Sequence, residues 1–153
     1  SDGPLLINAR SETVSEKSAF SEACRTTRCL IPSDGFYEWH RRKGEKPTPY
    51  RVVRNDGEPL VMAGIWQDWQ REGQHISSCA IVTTEANSKI QEIHHRLPVV
   101  LNSKEWSLWL GEVGKGAARL MLPVSDDVLD LCRVSDSINS NRSIGSQLWQ
   151  QLS

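Results

Sequence analysis

The stretch ISSCAIVTT at residues 76–84 decides the fold, because an apolar centre, CAIV at 79–82, flanked by β-branched residues is typical of a strand in a sheet. The turn residues REGQ at 71–74 come just before it, and the apolar segment LVMAGIW at 60–66 lies before the turn. We therefore predict a hairpin whose second strand ends at Thr83-Thr84.

Further strand and turn signals lie on the N-terminal side of this hairpin. Residues 50–53 and 60–66 flank an Asn55-Asp56-Gly57 turn, a pattern that favours another hairpin. Extended segments are also predicted over 5–12, 29–32 and 36–39, with a short helix that begins near Ser15 or Ser18 between the first two.

On the C-terminal side, short helices and strands follow one another without regular alternation. The pattern predicts helices over 86–93 and 117–122, strands over 97–101 and 128–134, and a helix after Asn102 with Trp106, Trp109 and Leu110 on one face. This arrangement favours an α+β fold, in which a single domain over residues 1–153 has a mostly antiparallel, barrel-like sheet flanked by short helices.

The composition argues against several classes of protein. Eighteen basic and nineteen acidic residues give a net charge of -1, so no overall positive field attracts nucleic acid, and any anion site must be local. Apolar runs such as residues 97–101 are far shorter than the roughly 20 residues of a membrane-spanning helix. We therefore expect no membrane partner.

The four cysteines, Cys24, Cys29, Cys79 and Cys132, occur in a chain that shows no signal-peptide pattern. This combination favours free thiols in a reducing compartment, and hence a cytoplasmic protein. Because Cys24 and Cys29 are not matched by a second close pair of ligands, we predict no metal site.

Three polar clusters interrupt the predicted strands and form a candidate site. In the first, the two-residue repeat of a strand sends Asn8, Arg10 and Glu12 to one face. In the second, Glu38 lies among aromatic residues, and apolar surroundings raise the pKa of a carboxyl towards the range useful for proton transfer. A half-exposed glutamate on an edge strand is the alternative.

The third cluster is His94-His95-Arg96, directly before Leu97-Pro98. If residues 93–97 are extended, His94 and Arg96 point to one side of the strand and His95 to the other. An imidazole beside a guanidinium suits a phosphorylated substrate, because histidine moves protons near neutral pH and arginine binds phosphate oxygens. Two surface histidines at the end of a helix are the alternative.

Two further features are each compatible with a structural or a DNA-binding role. The six tryptophans include candidates for base stacking, although tryptophan at strand or helix spacing is more often part of the core. The basic loop at residues 40–46 suits DNA phosphates, but such a loop is commonly a solvated turn.

The polar clusters belong to longer motifs that occur in a fixed order. These are INAR-x-ET at 7–13, RCLIP-x-DGFYEW at 28–39, IVTT at 81–84, IHHRLPVVL at 93–101, and VS at 134–135 followed by IN at 138–139 and Arg142. Over residues 5–142 the chain resembles the SOS-response-associated peptidase (SRAP) family. The resemblance implies a single α+β domain that shields abasic sites in single-stranded DNA by bonding covalently to the lesion.

The family's nucleophile is an N-terminal cysteine, whose α-amine forms a Schiff base with the ring-opened sugar and whose thiol then closes a thiazolidine. The resemblance implies that Asn8 positions this cysteine and that Glu38 handles protons at the amine and the sugar. It also implies that His94 assists ring opening and Schiff-base chemistry.

A second group of residues matches the part of the family that holds DNA. Arg10, Thr83 and Arg96 resemble the residues that grip the DNA backbone around the lesion, so the implied partner is single-stranded DNA that contains abasic sites. We expect a monomer without a cofactor, in the cytoplasm and associated with the nucleoid.

One part of the family pattern is not in this sequence. The opening Met-Cys-Gly-Arg block and the roughly sixty residues that lead to the Asn8 motif are missing, and none of the four cysteines carries a free α-amine. We therefore expect that these residues alone do not form the stable crosslink. Two other functions stay open: a thiol autopeptidase that uses the same residues, and a noncovalent module that binds single-stranded or modified DNA.

Overall fold

The computed structural model describes residues 5–16 and 18–139. Its strands are β1 (Leu5–Arg10), β2 (Arg28–Ser33), β3 (Phe36–His40), β4 (Thr48–Arg54), β5 (Leu60–Arg71), β6 (Gln74–Glu85), β7 (Arg96–Pro98) and β8 (Leu129–Arg133). The helices are α1 (Ser18–Thr26), α2 (Ser88–Gln91) and α3 (Trp106–Trp109), with 3-10 turns at Ser103–Glu105, Ala117–Leu120 and Asp136–Asn139. Among these residues, no helix has the length and apolar character needed to cross a membrane.

The long hairpin of β5 and β6 forms the centre of the larger sheet. The two strands pair from Gly64 and Ile81 at one end to Arg71 and Gln74 at the turn. Glu72 and Gly73 both adopt positive φ angles, 53° and 78°, as a two-residue hairpin turn of matching twist requires. The hairpin predicted from residues 60–84 is therefore confirmed.

The strands divide into two sheets. In the first, the order is β1-β6-β5-β2, and β7 pairs with the end of β6. In the second, β4 lies between β3 and β8. Among the strand pairs of the described residues, β1 and β6 alone are parallel. The α+β class and the mostly antiparallel pairing are confirmed, although the sheets of the described chain stay open instead of closing as a barrel.

The predicted hairpin around residues 55–57 is wrong. β4 pairs with β3 and β8, whereas β5 pairs with β2 and β6, so neither strand has a free edge for the other. The connection bends sharply because Asp56 accepts hydrogen bonds from the Arg54 guanidinium, at 2.7 Å, and from the Glu58 amide, at 3.0 Å. Non-local pairing on both edges of each strand outweighs the local turn signal.

Two hydrophobic cores support the sheets. One lies where α1 and α3 pack on the larger sheet, and its largest fully buried side chain is Trp109. The other surrounds α2 and the smaller sheet and includes Val52, Ile90 and Leu97. Of the aromatic face predicted for the helix after Asn102, Trp109 is buried, Trp106 is half-buried and packs against the first core, and Leu110 is exposed.

Asn87 caps α2 and ties it to the loop before β8. Its Oδ1 accepts the Ile90 amide at 3.0 Å, and its Nδ2 donates to the Val124 carbonyl at 3.0 Å. Because Asn87→Ala removes the cap and leaves a buried carbonyl unpaired, we expect it to lower the free energy of unfolding by about 1–3 kcal/mol. Urea denaturation measures the loss, with the exposed Ser88→Ala as control, and equal stability of both variants would contradict the capping role.

Candidate functional site

The site residues expected from the sequence fall into two groups that meet at β7. One group joins β1, β6 and the start of β7 through Arg10, Thr83 and Arg96. The other joins Glu38 on β3 to His94. The Arg96 amide donates to His94 Nδ1 at 3.1 Å, so the backbone of a single short segment links the two groups.

Arg96 is held on two sides by protein acceptors. Its guanidinium donates to both carboxylate oxygens of Glu12, at 2.6 and 3.0 Å, in a bidentate ion pair. The same side chain donates to the carbonyl and the hydroxyl of Thr83, at 2.9 and 3.1 Å. With its side chain only 15% exposed, Arg96 is a pre-oriented cation at the end of the sheet.

β1 presents Asn8 and Arg10 beside this cation. The strand runs parallel to β6, with Asn8 opposite Ile81 and Arg10 opposite Thr83. Ala9 is 2% exposed in the core, whereas Asn8 and Arg10 are exposed. The period-two geometry predicted from the sequence thus places an amide and a guanidinium on one accessible face.

Glu38 and His94 form the second group. The Glu38 carboxylate lies 3.8 Å from His94 Nδ1, and the side chains are 21% and 32% exposed. The Arg96 amide nitrogen lies 3.1 Å and the Arg96 carbonyl oxygen 3.2 Å from Nδ1, so this nitrogen accepts a hydrogen bond in one tautomer of the ring and donates one in the other. A carboxylate and an imidazole at this distance can hold a proton and pass it to a bound group.

The backbone around the histidines differs from the sequence prediction. The extended segment expected over residues 93–97 begins only at Arg96, because the amides of Ile93 and His94 both donate to the Ile90 carbonyl in a turn after α2. The His95 ring consequently stacks on the His94 ring, with centroids 4.6 Å apart, and does not point to the opposite side. His95 remains exposed.

An open cavity of about 380 Å³ borders His94 and the strand residues that follow Glu38. Its lining includes Trp39 and Arg41 on one side and Glu92, His94 and His95 on the other. The Trp39 indole donates to Asn139 Oδ1 at 2.7 Å. Asn139, which belongs to the C-terminal motif that begins at residue 134, therefore fixes the position of the Trp39 ring at the cavity. Arg142, which belongs to the same motif, lies outside the described residues.

Glu12 has a role that its sequence position alone does not indicate, although the strand repeat puts it on the face of Asn8 and Arg10. The structure shows that Glu12 is the carboxylate that orients Arg96. The two-residue spacing of Arg10 and Glu12 indicated that they share a face. The partner of Glu12, however, is Arg96, which lies 84 positions further along the chain. Only the parallel pairing of β1 with β6 brings the two together.

The ion pair also predicts how stability depends on pH. Hydrogen bonding to Arg96 lowers the pKa of Glu12 from 4.5 to about 2. A carboxyl with a lower pKa in the folded state stabilises the fold above its unfolded pKa, and this contribution is lost as the pH falls through the folded value. We therefore expect Glu12→Gln to reduce the loss of stability between pH 4.5 and about 2.

Chemical denaturation at several pH values in this window measures the effect. Glu16→Gln is a suitable control, because Glu16 is exposed on the same connection between β1 and α1. If the wild-type protein and Glu12→Gln lose stability equally as the pH falls, the ion pair contributes nothing to the acid response.

Comparisons with known proteins agree with this arrangement of motifs. The family model described as SOS response associated peptidase (SRAP) matches residues 1–141. The chain is 34% identical over 150 residues to abasic site processing protein YoaM of Bacillus subtilis, covering 95% of this chain and 66% of that protein. It is 33% identical over 153 residues to abasic site processing protein YedK of Escherichia coli, covering 97% of this chain and 68% of that protein.

A solved structure shows the same fold. A crystal structure of a protein from Bacteroides thetaiotaomicron superposes with a TM-score of 0.86 at 30% sequence identity, covering 95% of this chain and 65% of that chain. The 153 residues therefore span about two thirds of the length of each of these three proteins. With its motifs, its fold and its relatives in agreement, the chain belongs to the SOS response associated peptidase family.

Proposed function

We propose that the full-length protein to which this chain belongs processes abasic sites by forming a covalent crosslink with them in single-stranded DNA. The observation that carries the proposal is the Glu38–His94 pair beside the exposed Arg10 and the fixed Arg96. The pair can transfer protons, and the arginines can bind phosphate oxygens. The matched relatives whose names state abasic site processing support the same substrate.

The nucleophile in this proposal is an N-terminal cysteine outside the 153 residues. Its α-amine adds to the aldehyde of the ring-opened sugar, and loss of one water molecule leaves a Schiff base. The thiol sulfur then bonds to the imine carbon while its proton passes to the nitrogen, which closes a thiazolidine. The steps are additions, proton transfers and the loss of one water molecule, and none changes an oxidation state, so no oxidant or reductant is required.

The residues of this chain supply the proton transfers and the orientation. We assign to Glu38 the protons at the amine and the sugar, and to His94 assistance in sugar ring opening. Asn8, exposed on β1, would hydrogen-bond the cysteine and fix its direction. Such positioned acids and bases typically contribute 10²–10⁴-fold to a rate.

DNA binding in this proposal is local and electrostatic. Arg10 and Arg96, with the hydroxyl of Thr83, would contact the backbone on either side of the lesion. Since the chain carries a net charge of -1, a few phosphate contacts would set how DNA affinity depends on salt. For single-stranded DNA, the logarithm of the binding constant would fall against the logarithm of the salt concentration with a slope of about -0.7 for each phosphate contacted. Because a few residues of one chain would make these contacts, we propose that the protein acts as a monomer. Its DNA substrate would place it at the nucleoid.

A denaturing gel tests the proposal directly. The full-length protein and the 153-residue chain are each mixed with a single-stranded oligonucleotide that contains one abasic site. A control oligonucleotide carries a stable abasic analogue that cannot open to an aldehyde. We expect a heat-stable shifted band for the full-length protein with the natural abasic site alone, and no band in any lane would overturn the crosslinking proposal.

A noncovalent DNA-binding function is the second candidate, because the pre-oriented Arg96 and the exposed Arg10 can bind phosphate without the help of any nucleophile. Filter binding of the 153-residue chain to single-stranded DNA at increasing salt would detect it. Salt-sensitive binding without a covalent band from the full-length protein would favour this function. Release of a leader peptide from the full-length protein would instead favour the autopeptidase.

A further inference from the structure

The Glu12 carboxylate covers the solvent side of the Arg96 guanidinium. The Glu12 side chain is 50% exposed, whereas the Arg96 side chain is 15% exposed. The two carboxylate oxygens of Glu12 lie 2.6 Å from Nη1 and 3.0 Å from Nη2 of Arg96. A DNA phosphate that approaches Arg96 from solvent therefore meets a carboxylate before it reaches the guanidinium.

The hydrogen-bond donors of Arg96 are engaged in the geometry that a phosphate would use. A guanidinium can direct two parallel N–H groups at an oxyanion from either of two edges, and both edges include Nη2. Arg96 Nη2 donates to Glu12 at one edge, and to the carbonyl and hydroxyl of Thr83 at the other, at 2.9 and 3.1 Å. A two-point contact between Arg96 and a phosphate therefore requires one of these acceptors to move.

Of these two residues, Glu12 can move without disturbing the sheet. Thr83 is 8% exposed and lies opposite Arg10 in the pairing of β1 with β6, and its carbonyl also accepts the Ser11 amide at 2.8 Å. Glu12 lies beyond the end of β1, and the bonds of its half-exposed side chain can rotate to carry the carboxylate into solvent. The edge of Arg96 that Glu12 occupies is thus the one that an incoming anion can take.

The surroundings of the Glu12 carboxylate suit another anion of the same charge. The hydrogen bonds from Arg96, together with the positive charges of Arg96 and Arg10, lower the pKa of Glu12 to about 2. Both arginines therefore stabilise a negative charge at this position. A phosphodiester also carries one negative charge and presents two oxygens, so it matches the guanidinium edge that now binds the carboxylate.

We propose that Glu12 competes with DNA for Arg96, so that a backbone phosphate must displace the Glu12 carboxylate when a single strand binds. This inference rests on the proposed function, because it takes the backbone of single-stranded DNA as the ligand. The guanidinium exchanges one oxyanion for another, and the displaced carboxylate becomes solvated. The exchange makes and breaks hydrogen bonds alone.

The competition makes Glu12 a specificity-determining residue. An exchange of one anion for another gains less free energy than the binding of a phosphate to an unpaired arginine, so Arg96 holds an intact strand weakly. The covalent bond at an abasic site does not involve Arg96 and keeps its full strength. Glu12 therefore favours capture of the lesion over retention on DNA that has none.

Fluorescence anisotropy with DNA that cannot crosslink tests the competition. The full-length wild-type protein, Glu12→Gln and Glu16→Gln are each titrated into a labelled single strand that contains the stable abasic analogue, at several salt concentrations. Both substitutions remove one negative charge, and Glu16 is exposed on the same connection between β1 and α1, so it is the matched control.

Glu12→Gln is expected to bind this strand about tenfold more tightly than Glu16→Gln at low salt, because Arg96 gains a charge-assisted contact with a phosphate without losing an ion pair. Its affinity should also fall more steeply with salt, by about 0.7 in the logarithmic slope, because one more phosphate is neutralised. A purely structural role of Glu12 would not steepen this slope.

Three results would count against the competition: equal affinities of the two variants, weaker binding by Glu12→Gln, and no DNA binding by any of the three proteins. Weaker binding would show that Glu12 supports the DNA contact by orienting Arg96. Since the analogue forms no aldehyde, these outcomes are separate from the proposed crosslinking, which the denaturing gel with a natural abasic site reports. Circular dichroism of each variant checks that the fold is kept.

Discussion

Replacing Glu38 with glutamine in the full-length protein is expected to slow formation of the covalent adduct about a hundredfold, the lower end of what a positioned acid or base contributes. Glutamine keeps the shape of the side chain but cannot exchange a proton with the amine, the sugar or His94. Single-turnover time courses on a denaturing gel, with protein in excess over the abasic oligonucleotide, give the rate.

The histidines provide matched controls for this experiment. His94→Ala should slow the reaction to a similar extent, because it removes the imidazole 3.8 Å from the Glu38 carboxylate. His95→Ala should change the rate little, because that ring only stacks on His94 at the exposed surface. A normal rate in Glu38→Gln would remove Glu38 from the mechanism, and a defect in His95→Ala alone would assign the role to the other histidine.

Trp109→Ala is expected to lower the free energy of unfolding by about 3–5 kcal/mol, the usual cost of truncating a buried aromatic residue. The side chain is fully buried, and its indole donates to the Cys29 carbonyl at 2.9 Å. The Arg28 guanidinium also lies over the ring, 5.8 Å from its centroid. The variant therefore loses packing, a hydrogen bond and a cation–π contact together.

Chemical denaturation of Trp109→Ala and of a control, Trp66→Ala, measures this difference. Trp66 is 42% exposed, so its truncation should cost much less. Equal losses in the two variants would show that Trp109 does not anchor the core. In the full-length protein, Trp109→Ala should keep its reactivity towards abasic DNA at a temperature where it remains folded, because Trp109 packs in the core and not in the candidate site.

Part of the candidate site was predictable because its signals are local. Asn8 and Arg10 follow the two-residue repeat of β1, and their exposure with a buried Ala9 between them needs only that repeat. Glu38 is conspicuous as a carboxylate in an aromatic strand. The roles proposed for these residues rest on the resemblance of the ordered motifs to a family, because no physical pattern in the sequence indicates those roles.

The two carboxylate contacts of the site were not predictable, because each joins segments that are distant in the chain. Nothing near Glu12 in sequence indicates that it binds Arg96, and nothing near Glu38 indicates His94. The turn that stacks His95 on His94 continues from α2, whose cap depends on contacts with the loop before β8. Pro98 therefore favoured an extended segment where hydrogen bonds to the Ile90 carbonyl, at the end of a helix held by Asn87, form a turn.

By itself, the sequence determined the α+β class, the central hairpin at 60–84 and most element positions, because alternation, turn residues and caps act over a few neighbouring residues. Only the tertiary structure decided that β4 and β5 lie in different sheets, that Glu12 orients Arg96, and that Glu38 lies beside His94. These features depend on which strand edges pair, and that choice is made by the burial of both cores together.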